Sequence, residues 1–351
     1  MQTLNYMNVH NRFKLNGAHL NADDLCRVAY SFIKEGDDFE KPVGDFLLDW
    51  FNEKPTIDML TSGSTGIPKT IRVAKQAMVN SAIATGNYFD LSPGNSVLNC
   101  LPVKYVAGKM MFVRSFILGL EMEFVAPSSH PLRKNELKFD FAAMVPLQAQ
   151  NSVADLGCIK KLIVGGAKIN SDLEQQLLGL KTTQSFETFG MTEAVSHIAA
   201  KKIGEKAFTV LPHVSIETDS RSCLIIHAPD VTEKPIVTND LVEIIDGNQF
   251  VFLGRMDNVV NSGGIKLIPE QIEAKIAAHF DRRFFVIGVP DESLGEKLVL
   301  VVEGEKQSID QQIFDVLGKY EKPKDIIFVS QFAETPNGKV IRKKSLESQV
   351  V

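Results

Sequence analysis

The stretch Leu60-Thr61-Ser62-Gly63-Ser64-Thr65-Gly66-Ile67-Pro68-Lys69-Thr70 decides the reading of this chain. Nearly every position ahead of the lysine is a hydroxyl residue or a glycine. Glycines let a backbone turn through positive φ and bring its N–H groups close to an anion. Ser62, Ser64, Thr65 and Thr70 add hydroxyl donors, and Lys69 adds a point charge suited to phosphate oxygens. Apolar Ile57, Met59 and Leu60 lead in like the end of a strand, and a helix-like run from Lys75 to Phe89 follows. A solvated turn uses the same residue types, but this density of donors ending in Pro-Lys-Thr favours phosphate binding. A Walker A loop is excluded, because G-x-x-x-x-G-K-[ST] needs glycine before the lysine and Pro68 stands there.

The order T-S-G-S-T-G-x-P-K resembles the signature loop of the adenylate-forming superfamily, which includes acyl- and aryl-CoA ligases, luciferases and peptide-synthetase adenylation domains. The resemblance implies that Thr61, Ser62, Gly63, Ser64, Thr65, Gly66 and Lys69 handle the β- and γ-phosphates of ATP while a carboxylate attacks the α-phosphorus. Further motifs follow in the family's order. Ile159 to Val164 reads as a strand running into Gly165-Gly166-Ala167, and Ser171 with Glu174 fits a capping box for the next helix. Strand, glycine turn, capped helix is α/β grammar with a ligand at the strand's carboxyl end. By resemblance this is the adenine-side loop. Gln184 to Gly190 reads as another strand, leading into Phe189-Gly190-Met191-Thr192-Glu193. A flat Phe189 can pack near a purine, Thr192 can donate to the α-phosphate, and Glu193 offers a hard oxygen for Mg²⁺.

Between these motifs lies Leu101-Pro102-Val103-Lys104-Tyr105-Val106-Ala107-Gly108. In relatives this segment borders the acyl pocket, with a histidine or aromatic residue where Tyr105 stands and a glycine at Gly108. Lys104, Lys109 and Arg114 are each a plausible surface charge, yet together they suggest a substrate with a second carboxylate. His197, after Ser196, falls where relatives line the acyl pocket, and a structural histidine fits it equally well.

From Phe208 to Phe252 short alternating strands with turns at Asp219-Ser220, Ala228-Pro229 and Asp246-Gly247-Asn248 mark a small β-rich subdomain. Thr238-Asn239-Asp240 stands where the family has Thr-Gly-Asp, so Asp240 is expected on the ribose hydroxyls. Asn239 replaces the glycine, and asparagine tolerates left-handed backbone. The run from Leu253 to Glu273 resembles the family's hinge. Arg255 would contact ribose or phosphate, Asp257 would be the pivot, and Ser262-Gly263-Gly264 would lie by the pantetheine tunnel. Pro269 opens a helix at a position proline tolerates. A helix from Ile309 to Tyr320 is expected further on. Thr335-Pro336-Asn337-Gly338-Lys339 is by itself an ordinary turn; in the family it carries the adenylation lysine, here Lys339, which stabilises charge growing in the transition state.

The resemblance thus implies an α/β fold with a large N-terminal domain (1–256), a β-rich subdomain within it, and a small mobile α+β domain (257–351) carrying Lys339. The implied reaction is ATP-dependent: an acyl-adenylate forms first and coenzyme A then takes the acyl group. The signature loop lies roughly a hundred residues earlier than in most relatives. This, the Leu-Pro-x-x-Tyr-x-x-Gly-Lys variant and the Met-Thr-Glu-Ala-x-Ser-His string resemble the short o-succinylbenzoate–CoA ligases of menaquinone biosynthesis, whose acid is dianionic. Another aryl or acyl acid, a carrier-protein thiol, or an inactive nucleotide-binding relative are the alternatives.

The totals bound these readings. The chain has 351 residues, 44% of them hydrophobic, and a formal net charge of −5. No global basic field invites nucleic acid. Cys26, Cys100, Cys158 and Cys223 show no metal or redox spacing and read as free thiols of a reducing compartment. No basic-then-apolar leader and no run of ~18 apolar residues is present, so no membrane association and a cytoplasmic location are expected. A homodimer is compatible with the sequence, which leaves the oligomeric state open.

Overall fold

The central strands of this protein's parallel sheet, Phe139–Met144 and Ile159–Val164, are the most apolar, as strands covered on both faces require, and the flanking Glu121–Phe124 alternates. A computed structural model describes residues 5–60, 69–132, 137–335 and 338–347, which group by packing into two compact units. In the first, the strands Glu121–Phe124, Ser96–Asn99, Phe139–Met144, Ile159–Val164 and Gln184–Gly190 lie side by side and parallel, in that order. The register is continuous, with Val97 opposite Phe141, Ala142 opposite Leu162 and Ile163 opposite Phe186. Two antiparallel strands, His197–Lys202 and Phe208–Val210, extend the sheet beyond Gln184–Gly190.

One face is covered by the helices Lys75–Phe89 and Val106–Leu118. Both are apolar around most of their circumference, because they pack against the sheet below and against the lead-in helices Ala22–Glu35 and Lys41–Trp50 above. Met78, Val79, Phe89, Phe112, Phe116 and Trp50 meet in this core. Gly86 lets the two central helices approach, since a Cβ there would stand 2.8 Å from Leu118 Cδ1. Asn21 caps the first helix in a reciprocal box with Asp24, as its sequence predicts. The opposite face carries the helix Ser171–Leu178 through Leu173 and Leu177. Its cap is Asn170, not the expected Ser171: the Asn170 side chain, on extended backbone, accepts from Leu173 N at 2.7 Å. Asparagine is as good a cap as serine and sits one residue earlier, where the chain is not yet helical.

A separate hairpin pairs Thr56–Leu60 with Thr70–Ala74, Leu60 opposite Thr70. The second strand was not expected from the sequence. Thr61 through Gly66, and with them Ile67 and Pro68, lie outside the described residues.

In the second unit, Ile216–Ile226 and the residues from 237 onward pack together. The long strand Ile236–Asp246 turns at Gly247-Asn248 into Gln249–Arg255. The helix Pro269–Ala277, strands Phe284–Asp291 and Gly295–Glu303, and the parallel strand Asp325–Val329 build a core around Ile272, Ile276, Val286 and Leu300. The helix expected over Ile309 to Tyr320 is absent. Asp310 caps a single tight turn, Gln311–Phe314, which already buries Ile313 and Phe314, and Gly318 disfavours continuation. No described helix is long and apolar enough to cross a membrane. Pro336 and Asn337 lie outside the described residues.

Candidate active site

In an open parallel sheet, ligands collect outside the carboxyl ends of the strands. Two of the sequence motifs end up side by side there. Gly165-Gly166-Ala167 leaves the Ile159–Val164 strand, with Gly165 N donating to Met144 O at 3.1 Å. A Cβ at position 165 would stand 2.4 Å from Thr188 Oγ1, on the neighbouring strand that ends in Phe189 and Gly190. The Phe189 ring lies 5.8 Å from that of Phe208. The glycine of the aromatic-Gly-x-Thr-Glu motif has a packing cause. A Cβ on Gly190 would stand 2.3 Å from both His197 Cα and Ser196 O, where the chain returns antiparallel. Between the two strands, Thr192–Ala194 forms one tight turn that leaves Glu193 exposed.

Val195 follows with φ 67° and ψ −41°, and Ser196 N donates to Ala194 O at 2.7 Å. This is a γ-turn on a β-branched residue with positive φ, a strained conformation. It delivers Ser196 and His197 to Arg114. The Arg114 guanidinium donates to Ser196 Oγ at 2.8 Å and lies 3.4 Å from His197 Nδ1 and 3.7 Å from Met111 Sδ. Arg114 is only 2% exposed, its Nε has no hydrogen-bond partner, and none of these three neighbours is an anion. Burial pulls its pKa down to about 10. The same burial, with Arg114 alongside, drives the His197 pKa well below the ordinary imidazole value, so the ring is neutral. His197 Nε2 is likewise buried without a partner. His197 also lines a cleft with Ser81, Ala84, Ala194, Ile198 and Leu211.

Three cations that look alike in sequence separate here. Lys104 is exposed. Lys109 precedes Arg114 by five residues on one helix, about 140° around its axis. Its ammonium points instead to Asp58 O at 3.4 Å and over the Phe46 ring at 5.8 Å, and burial lowers its pKa. Tyr105 is the N-cap of that helix and bridges Leu60 through its backbone, at the base of the hairpin that Lys69 rejoins. Gly108 is a packing glycine: a Cβ would come within 2.6 Å of Pro102 O and 2.7 Å of Leu101 O. Ser196 was not singled out as a site residue in the sequence, although its place beside His197 was a usable signal.

The second unit holds its own cluster. Asp240 and Arg255 sit opposite each other in the long hairpin, with Arg255 Nη1 donating to Asp240 Oδ1 at 3.0 Å and Nη2 to Asp257 Oδ2 at 2.7 Å. Burial works against the guanidinium, but Asp240 and Asp257 outweigh it and raise its pKa. Asn239, where the family has glycine, donates to Asp257 Oδ1 at 3.1 Å. Ser262 ends one strand of a tight hairpin whose turn residues, Gly263 and Gly264, have φ of 58° and 83°. A two-residue turn with both φ positive calls for glycine. Lys339 is held by Thr335, whose Oγ1 accepts from Lys339 N at 3.1 Å and whose N donates to Lys339 O at 2.9 Å. Its side chain reaches solvent, yet crowding by its neighbours lowers its pKa, with Arg255 adding to the effect and Asp240 opposing it. Among the described residues no group of three or more acidic, histidine or cysteine side chains could hold a metal.

Two family profiles match this chain: AMP-binding enzyme over residues 49–223 and AMP-binding enzyme C-terminal domain over 271–339. The solved acyl-CoA synthetase (AMP-forming)/AMP-acid ligase II-like protein from Dyadobacter fermentans is 34% identical, with a TM-score of 0.61, covering 92% of this chain and 97% of that one. The 2-succinylbenzoate–CoA ligase of Geobacillus sp. strain WCH70 is 26% identical over 339 residues, 83% of this chain and 68% of that protein. The o-succinylbenzoate coenzyme A synthetase of Bacillus subtilis, solved with ATP and magnesium, shares the fold at 18% identity and a TM-score of 0.71, over 82% of this chain and 69% of that one.

Proposed function

This chain belongs to the AMP-binding enzyme family and is an AMP-forming acid–CoA ligase, and we propose that its acid is o-succinylbenzoate. The observation that carries the choice of acid is Arg114. A guanidinium closed off from water, with a neutral histidine and a serine as neighbours and no anion in contact among the described residues, is an incomplete ion pair. Leaving a buried charge unpaired is strongly unfavourable, whereas a carboxylate can accept from its planar fork through two parallel bonds. An acid with a second carboxylate completes the pair, and Ser196 Oγ and His197 then orient it. Lys109 is the second candidate anchor, and its contacts with Asp58 O and Phe46 favour Arg114 over it.

The proposed reaction runs in two steps. The carboxylate to be activated attacks the α-phosphorus of ATP, a P–O bond forms, and pyrophosphate leaves with the electrons of the broken bond. The signature loop from Thr61 to Lys69 holds the β- and γ-phosphates, Gly165 to Ala167 and Phe189 flank the adenine, Asp240 and Arg255 hold the ribose, and Thr192 donates to the α-phosphate. When bound through Glu193, magnesium would neutralise phosphate charge. Lys339 offsets the negative charge that accumulates on the α-phosphate in the transition state. In the second step the thiolate of coenzyme A, admitted past Ser262 to Gly264, attacks the acyl carbon and AMP leaves. We assign the exchange between steps to a rotation about Asp257, which divides a 1–256 part from a 257–351 part. Such gating by domain motion is common in enzymes that run two half-reactions.

The test is acid-dependent release of pyrophosphate from ATP over a panel of o-succinylbenzoate, benzoates and fatty acids, with and without coenzyme A. Preferred turnover of o-succinylbenzoate with formation of its CoA thioester is the expected result. Preferred turnover of a monocarboxylic acid would overturn the choice of acid and leave the ligase reading standing.

A further inference from the structure

His197 holds a second unsatisfied group beside Arg114. Its Nδ1 faces donors: Arg114 Nη2 lies 3.4 Å away, and Ser196 Oγ, which itself accepts from that guanidinium, lies 3.3 Å away. A guanidinium has no lone pair to offer, so Nδ1 is the accepting nitrogen. Burial, and then the Arg114 charge, keep the ring neutral. A neutral imidazole carries one proton, and the bond made by one nitrogen decides where that proton sits. It sits on Nε2. His197 is only 8% exposed, and Nε2 has no hydrogen-bond partner among the described residues. The Phe89 ring, 6.0 Å away between centroids, offers no oxygen or nitrogen.

Buried donors in native proteins are nearly all paired, and an unpaired one calls for a reason. Two further observations place that reason in a ligand. His197 lines a cleft together with Ser81, Ala84, Ile198 and Leu211. The residue that delivers it, Val195, is buried with φ 67° although it is β-branched. Backbone strain of this kind clusters at active sites and ligand clamps.

We propose that His197 is a specificity-determining residue whose Nε2–H donates to an uncharged oxygen of the acid, the ketone that o-succinylbenzoate carries between its two carboxylates. The inference rests on the o-succinylbenzoate reading and deepens it. Arg114 and His197 divide the recognition by charge. The guanidinium takes a carboxylate, and the neutral N–H takes an acceptor that brings no second charge into a buried site, where an unpaired charge is costly. The shape of the acid suits this division. Two carbons separate the ketone from either carboxylate, so the ketone lies equally near whichever carboxylate Arg114 holds, and His197 adjoins Arg114.

The test compares kcat/KM for CoA-thioester formation with o-succinylbenzoate and with 2-(3-carboxypropyl)benzoate, which keeps both carboxylates and has a methylene in place of the ketone. Wild type should favour the keto acid about 10- to 100-fold, the scale of leaving one buried donor unpaired. His197→Phe and His197→Leu both remove the donor, and whichever is the better folded should bring the two acids close to parity. Because each variant is read as a ratio of two substrates, a general loss of activity or stability cancels. His197→Gln, which offers an amide donor, should keep part of the preference. Parity in wild type would mean that Nε2–H is satisfied elsewhere. A preference that persists undiminished without the donor would belong to the acid's own reactivity. Either result overturns the role of His197 and leaves the diacid reading standing. Wild-type preference for a monocarboxylic acid would instead overturn the choice of acid, and this inference with it.

Discussion

Arg114 shows how a residue's chemistry can be hidden in sequence and plain in three dimensions. In the string Gly-Lys-Met-Met-Phe-Val-Arg it is one of several cations near a motif, and nothing there distinguishes it from Lys104 or Lys109. Helical geometry separates them, sending Lys109 to the Asp58 carbonyl and Arg114 to Ser196 and His197. Arg114→Ala should reduce kcat/KM for o-succinylbenzoate about 100- to 1000-fold, the loss expected when one partner of a buried pair is removed. Arg114→Lys should recover only part of it, because a point charge does not reproduce the planar fork. Kinetics of both variants with the diacid and with benzoate check this. Benzoate turnover, which has no second carboxylate to lose, should change far less.

At the scale of elements, the strands Ile159–Val164 and Gln184–Gly190 and the helix Lys75–Phe89 were legible to the residue. Ile159–Val164 is an apolar-rich run ending at a glycine turn, Gln184–Gly190 leads into the Gly-x-Thr-Glu motif, and Lys75–Phe89 ends at the left-handed Asp90. The strand Thr70–Ala74 was not legible, because it passes into the helix without an intervening turn residue. The helix over Ile309 to Tyr320 was misread, because its apolar spacing also fits one tight turn that fills the core. Glycines carried more than the motif reading gave them. Gly190 is fixed by the crossing of the 196–197 backbone and Gly108 by the Leu101-Pro102 turn. Gly190→Ala should destabilise the protein by about 1–3 kcal/mol, as overpacking against backbone does. Urea unfolding measures this. Because the displaced groups are Ser196 and His197, the KM for the diacid should rise as well.

For the molecule as a whole, the order of the motifs along the chain was the strongest signal, and the two family profiles follow that order. The sequence could not show which charges lie together within each unit, because Asp240, Arg255 and Lys339 are brought together only by folding. That grouping gives the activating half-reaction a pH signature. Crowding and the Arg255 charge disfavour the ammonium, so Lys339 loses its proton at lower pH than an ordinary lysine. If the charged form assists attack on the α-phosphorus, exchange should decline on the alkaline side with a midpoint below the usual 10.5. Lys339→Arg should lose this limb, since arginine stays charged. Thioester formation from the isolated adenylate should show no such limb in wild type. pH profiles of the two half-reactions provide the check.

The central claim is that this ligase activates an acid whose second carboxylate completes the Arg114 pair. The most direct measurement is kcat/KM for CoA-thioester formation with o-succinylbenzoate, set against the better of its two monomethyl esters. The account predicts that the diacid is favoured by about two orders of magnitude or more, with the preference lost in Arg114→Ala. Equal turnover of diacid and monoester by the wild-type enzyme would contradict it.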